Sequence, residues 1–100
     1  MTEQPEQTVT RTIVVTDPVG LHARTAVGIA DVARRSKSKV TLTKDERQAA
    51  GTEVLQLLSL YVPRGESVVV QVIGPDAAEV MDALEPVFAG EYGGEKQKIA

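Results

Sequence analysis

The stretch TVTRTIVVTDPVGLHARTAVGIADVARR, Thr8 to Arg35, changes its period in the middle. In its first half Val9, Arg11, Ile13 and Val15 alternate with Thr10, Thr12, Val14 and Thr16. Nearly every residue there is β-branched, so the spacing predicts a strand over residues 8–16. DPVG then supplies turn chemistry. From Ala23 onward Ala26, Ile29, Ala30 and Ala33 recur at helical spacing, and RRSKS places cations where a helix C-terminus favours them. The apolar stripe is mostly alanine, which lets such a helix lie close against whatever it covers.

Working outward, KVTLT turns Val40 and Leu42 to one side as a short strand, KDER reads as a polar turn, and RQAA is its hairpin partner despite weak β propensity. In GTEVLQLLSLYV, the residues Val54, Leu57, Leu58 and Tyr61 recur at i, i+3, i+4 and i+7. That predicts a short second helix capped by Thr52 and ended by Pro63 and Gly65. ESVVVQVIG is a strand with Val68, Val70 and Val72 on one face. PDAAEVMDALEPVF carries Ala77, Val80, Met81, Leu84 and Phe88 as an apolar stripe. Asp76 and Glu79 stand there in capping-box spacing, and Pro86 is expected to kink the helix or stop it near Glu85. The order β-α-β-β-α-β-α implies an α+β, open-faced two-layer sandwich, with a four-stranded antiparallel sheet and three helices on one face. The other face is left to solvent, as the threonines of the first strand suggest.

One hundred residues make one domain, and 42% hydrophobic content with three aromatics means a core built of Val, Leu, Ile and Ala. Residues 1–8 and 91–100 are polar and read as flexible tails around a domain spanning 9–90. With no cysteine and one histidine, neither a disulfide nor a histidine-based metal site is expected. A net charge of −3 gives no basic footprint for nucleic acid. No long apolar run and no signal-peptide pattern stand out, so a cytoplasmic protein without membrane insertion is expected.

The single histidine, His22, sits at the predicted mouth of the first helix. The first amides of a helix lack partners within it, and their summed dipole acts like about half a positive charge. Anions are stabilised there by donors already aimed at them, here the amides of Ala23, Arg24 and Thr25. Arg24 adds a permanent cation suited to phosphate oxygens, and Gly20 lets the entering chain bend tightly. The same field disfavours imidazolium, and a neutral ring keeps one nitrogen free as a nucleophile. These features point to His22 as a phosphoryl carrier; a plain capping histidine beside a solvated arginine is the competing reading. No second histidine exists to act as a base, and no carboxylate can be assigned from sequence to orient His22, so hydrolytic catalysis is not expected.

GLHARTA after a first strand, followed by GTEVLQLLSL and PRGESVVVQVIGPDA in that order and spacing, resembles the HPr family over about residues 9–89. These are the histidine-containing phosphocarriers of the bacterial phosphoenolpyruvate-dependent sugar phosphotransferase system. The resemblance implies that His22 is phosphorylated through Nδ1, that Arg24 assists the phosphate, and that no cofactor is needed. It further implies that enzyme I is the donor, that a sugar-specific IIA protein or domain is the acceptor, and that Val54 and Leu55 are partner contacts. The protein is then a stoichiometric carrier rather than an enzyme. Two positions depart from the family pattern. Thr25 replaces the usual proline after the arginine: it is a tolerated substitution at a permissive helix start, or it restores a backbone donor and loosens the loop, with a hydroxyl able to contact phosphate. Glu53 replaces the serine that a regulatory kinase modifies in many members. It complements the helix dipole, or imitates part of the regulatory charge; Thr52 beside it offers a replacement acceptor, although its capping role accounts for it without one. The alternative function is an HPr-like regulatory protein that reports phosphorylation state to a transcription factor or enzyme without serving sugar uptake. A small-molecule binding module on the same sandwich ranks last.

Overall fold

The computed structural model describes residues 6–91. The elements are β1 (Gln7–Val14), α1 (Ala23–Arg35), β2 (Lys39–Lys44), β3 (Arg47–Ala50), α2 (Val54–Ser59), β4 (Ser67–Gly74) and α3 (Ala77–Phe88). The four strands form one antiparallel sheet in the order β1-β4-β2-β3. This is the expected α+β architecture. β1 takes in Gln7 and Thr8, which pair with Gly74 and Ile73, so the sheet begins two residues inside the stretch read as an N-terminal tail. Of the two proposed tails, residues 1–5 and 92–100 lie outside the described residues.

Register explains the core. Val40 pairs with Val72, Leu42 lies opposite both Ala49 and Val70, and all five face the same side as Val68. The stripe of α1, Ala26, Ile29, Ala30 and Ala33, is buried, as is that of α3. Together with Leu57 of α2 the two helices and the sheet share one apolar cluster. The opposite sheet face carries Thr10, Thr12, Ser67, Val69 and Gln71, all exposed. Period-two alternation on the strands and period-3.6 stripes on the helices therefore meet on one side only.

Four local expectations need correction. The second helix stops at Ser59, so Leu60 is fully buried and Tyr61, expected on the stripe, is 72% exposed with φ 53°. Its N-cap is Glu53 rather than Thr52, and no side chain caps it. Asp76 is the N-cap of α3 but forms no capping bond to its own helix. Its carboxylate instead accepts from the Ser38 hydroxyl and from the Lys37 amide at 2.9 Å, which holds the carboxyl below the usual carboxylate range. Pro86 sits inside α3, which runs on to Phe88, so of the two expectations for it the stop near Glu85 is the one that fails. A proline in a helix interior costs about 3 kcal/mol, while burying a Val or Phe side chain returns roughly 1.5–3 kcal/mol each. Val87 and Phe88 are both buried, so continuing the helix offsets the proline.

Candidate functional site

β1 ends at Val14 because the chain then changes partners. Val15 is buried and donates to Glu66 O at 2.9 Å, and the amides of Thr16 and Asp17 both donate to Phe88 O at the end of α3, at 3.1 and 3.0 Å. Asp17–Gly20 is a turn closed by Gly20 N donating to Asp17 O at 2.9 Å. The Asp17 side chain reinforces it, Oδ1 accepting from the Val19 amide at 2.8 Å, the self-bonding aspartates favour in turns. Gly20 has φ +86°, and a Cβ there would stand 2.9 Å from Val62 O, so both its conformation and its space demand glycine. The next amide, Leu21 N, donates to that same Val62 O at 2.9 Å and buries Leu21. The loop is thus pinned to α3 on one side and to the segment before β4 on the other.

What it delivers is His22 at the N-cap of α1, with extended φ −114° and ψ −172°. The first intrahelical bond runs from Ala26 N to His22 O at 2.8 Å, so the amides of Ala23, Arg24 and Thr25 all precede the helix ladder. The Arg24 amide donates to His22 Nδ1 at 3.3 Å. An amide proton aimed at Nδ1 requires a lone pair there. On the other edge of the ring, Nε2 lies 3.3 Å from Asp17 Oδ2. The imidazole is 29% exposed, half-sunk in the surface with the helix mouth beneath it.

The structure brings Ala23, Arg24 and Thr25 together at this mouth, but their side chains part company. Ala23 and Arg24 are exposed. Thr25 is completely buried, and its hydroxyl lies 3.4 Å from Asp17 Oδ2 and 3.4 Å from Gly20 O. The expectation that threonine loosens the loop and offers its hydroxyl to phosphate is corrected: the hydroxyl faces inward and ties the helix to the turn. Asp17, only 4% exposed, is the residue that sequence reading missed. The available signal was the Asp-Pro turn, whose aspartate commonly folds back on the amide two residues ahead.

The second cluster lies at the start of α2. The Thr52 hydroxyl meets its neighbour Glu53 at 3.3 Å, while Arg34 of α1 donates to Thr52 O at 2.6 Å. Arg35 pairs instead with Asp31 at 3.2 Å. Val54 packs against the core, whereas Leu55 is 81% exposed. Val19, Val27 and Tyr61 are also exposed, so the histidine loop, α1 and α2 each present an apolar side chain to solvent. A shallow groove of about 300 Å³ between the C-terminal half of α1 and α3 is lined by Asp31, Val32, Arg35, Asp76, Glu79 and Val80, away from His22. Among the described residues no group of His, Cys, Asp and Glu is arranged to hold a metal ion, and no helix is long and apolar enough to cross a membrane.

Known proteins resemble this chain over most of its length. A family model described as the PTS HPr component phosphorylation site matches residues 9–89. The phosphocarrier protein HPr of Neisseria meningitidis serogroup A is 30% identical over 83 residues, covering 83% of this chain and 93% of the relative. A phosphocarrier protein NPr from Shewanella violacea is 31% identical over 74 residues, covering 74% of this chain and 81% of the relative. Among solved structures, an HPr from Thermoanaerobacter tengcongensis superposes with a TM-score of 0.75 at 28% identity, covering 83% of this chain and 97% of that one.

Proposed function

The chain belongs to the HPr family of phosphotransferase-system phosphocarriers, and from that premise we propose that His22 accepts a phosphoryl group on Nδ1 from phosphorylated enzyme I and passes it to a IIA protein or domain. The observation that carries this reading is the Arg24 amide donating to Nδ1 at the mouth of a 13-residue helix. Nδ1 has its lone pair directed at the positive end of the helix. A phosphoryl group bonded there exchanges one weak acceptor for three oxygens, set against the amides of Ala23, Arg24 and Thr25 and a field of about half a charge. The Arg24 guanidinium adds a permanent cation on the same turn. Donors placed before the reaction need little rearrangement, which keeps capture and release both accessible.

The partners in this reading meet the molecule around the histidine, with Val54 and Leu55 as apolar contacts at the second helix. The exposure of Leu55 supports that role for it; Val54 contributes only the part of its surface that the core leaves uncovered. As a carrier consumed and regenerated once per transfer, the protein is a substrate of other proteins rather than an enzyme, and it works in the cytoplasm beside them. Glu53 excludes phosphorylation of the kind a serine accepts at that position. Incubation with phosphoenolpyruvate and enzyme I is expected to give an acid-labile modification of the wild-type protein that His22→Ala lacks while remaining folded. Labelling that persists in the mutant removes His22 from the scheme.

A second reading is favoured by Glu53 and by the similarity to NPr proteins as well as HPr. Here the same phosphorylation reports a metabolic state to a regulatory protein without feeding sugar uptake. Complementation of a strain lacking its sugar phosphocarrier separates the two: restored uptake supports the transport role, and failure by a protein that is still phosphorylated supports the regulatory one.

A further inference from the structure

The phosphocarrier reading leaves one side chain at the ring without a task. Asp17 is buried, and it meets donors on both oxygens: the Val19 amide at 2.8 Å on Oδ1, and on Oδ2 the His22 ring at 3.3 Å and the Thr25 hydroxyl at 3.4 Å. An ionised carboxylate offers acceptors only, so these three groups are matched to it by charge and by hydrogen-bond sense. From behind, Gly90 closes the arrangement, since a Cβ there would lie 2.9 Å from Oδ2. A carboxylate facing Nε2 calls for a proton on Nε2, and an amide proton facing Nδ1 calls for none on Nδ1. Two independent neighbours, one on each edge of the ring, select the same tautomer.

We propose that Asp17 is the positioning residue of the phosphoryl acceptor: it holds the ring proton on Nε2, leaves Nδ1 as the nucleophilic nitrogen, and balances the charge the ring gains on phosphorylation. This rests on the phosphocarrier reading of His22. In the transfer step the Nδ1 lone pair forms the N–P bond while the donor's bond to phosphorus breaks and its electron pair leaves with the donor. Nε2 keeps its proton throughout, so no base has to remove one. The ring becomes a cation facing the Asp17 carboxylate. On transfer to the acceptor the N–P electron pair returns to Nδ1 and the ring is neutral again. Thr25 borders the carboxylate from the buried side, its single hydroxyl proton shared between Asp17 Oδ2 and Gly20 O at 3.4 Å each, and is not required for the tautomer.

The test compares wild type with Asp17→Asn and Thr25→Val by ring ¹⁵N spectroscopy of His22 at a pH where the imidazole is neutral. Asparagine offers one acceptor oxygen where the Val19 amide, the ring and the Thr25 hydroxyl approach a carboxylate, and with that oxygen on the Val19 amide it presents N–H to Nε2. The expected result is protonated Nε2 in wild type and in Thr25→Val, and a population shifted toward protonated Nδ1 in Asp17→Asn. With enzyme I as donor, kcat for Asp17→Asn is expected to fall at least roughly tenfold, the low end of the range seen for carboxylates that orient metal-bound histidines, with KM unchanged because Asp17 is buried. A tautomer ratio equal to wild type in folded Asp17→Asn overturns the proposal, and so does protonated Nδ1 in the wild type, which needs no variant. A shifted ratio in a protein that enzyme I never labels retains Asp17 as the holder of the ring and overturns the phosphocarrier reading instead.

Discussion

His22 and Glu53 occupy equivalent places, each the N-cap of a helix with φ −114°, yet their surroundings differ sharply. His22 starts 13 residues of helix, takes the Arg24 amide on its own ring, and is delivered by a turn whose backbone is bonded to Phe88 and Val62. Glu53 starts six residues and makes no capping bond. Its helix is steadied from outside, by Arg34 on Thr52 O and by Gln56 reaching back to the Ala50 amide at 2.9 Å, and only Leu57 within it is buried. A group that must receive and release charge needs donors fixed in advance, because reorganising them during transfer adds to the barrier. A face proposed to meet partners needs only to be presented, and one buried leucine holds it there.

The contrast can be broken at several points. Leu57→Ala is expected to lose about 2–5 kcal/mol, the range for a buried leucine, with the α2 amides losing hydrogen-exchange protection while those of α1 keep theirs. Equal loss in both helices would show that α2 does not hang from that side chain. At the histidine loop, Gly20→Ala combines a left-handed conformation with a contact on backbone atoms, and about 1–3 kcal/mol should be lost in urea denaturation. Glu53→Ser supplies the missing side-chain cap and is expected to stabilise the protein by about 0.5–1 kcal/mol; no gain would mean that the outside contacts already satisfy the first turn.

The start of α3 offers a third case, visible only in acid. Asp76 has its carboxyl lowered in the folded protein, first by the Ser38 hydroxyl and then by the Lys37 amide. A depressed carboxyl stabilises the fold above its unfolded value of about 3.9 and ceases to do so as pH falls through the folded value. Stability of Asp76→Asn is therefore expected to vary less with pH below about 4 than that of wild type, and identical slopes would remove this contribution. Least of all in stability, Leu55→Ala should change unfolding by no more than about 0.5 kcal/mol, since the side chain is exposed. The same variant is expected to weaken binding of enzyme I in calorimetry, and unchanged affinity removes Leu55 from the contact surface.

The sheet and both long helices were legible because their signals are repeated: Val68, Val70 and Val72 vote three times for one face, and the alanine stripe of α1 four times. Features resting on one residue were not. Tyr61 fits a helical spacing, but the helix has ended two residues earlier, and burial of Leu60 turns Tyr61 out to solvent. Asp76 has the right spacing for a capping box, yet a serine far away in sequence competes for its carboxylate and wins. The site was half legible. His22 and the amides after it follow from a local pattern, glycine before and helix after. Asp17 does not, because its meeting with Nε2 depends on the path of the turn, and that path is set by Phe88 O and Val62 O from distant parts of the chain.

The bonds from Thr16 and Asp17 to Phe88, and the close approach of Gly90 to the Asp17 carboxylate, also govern how the protein should be handled. A bulky probe attached at Glu91 itself would start one residue from that contact, where it would crowd proteins proposed to approach the imidazole. Gln7 is the safer attachment point, since the eight residues of β1 put it about 25 Å along the sheet from the loop.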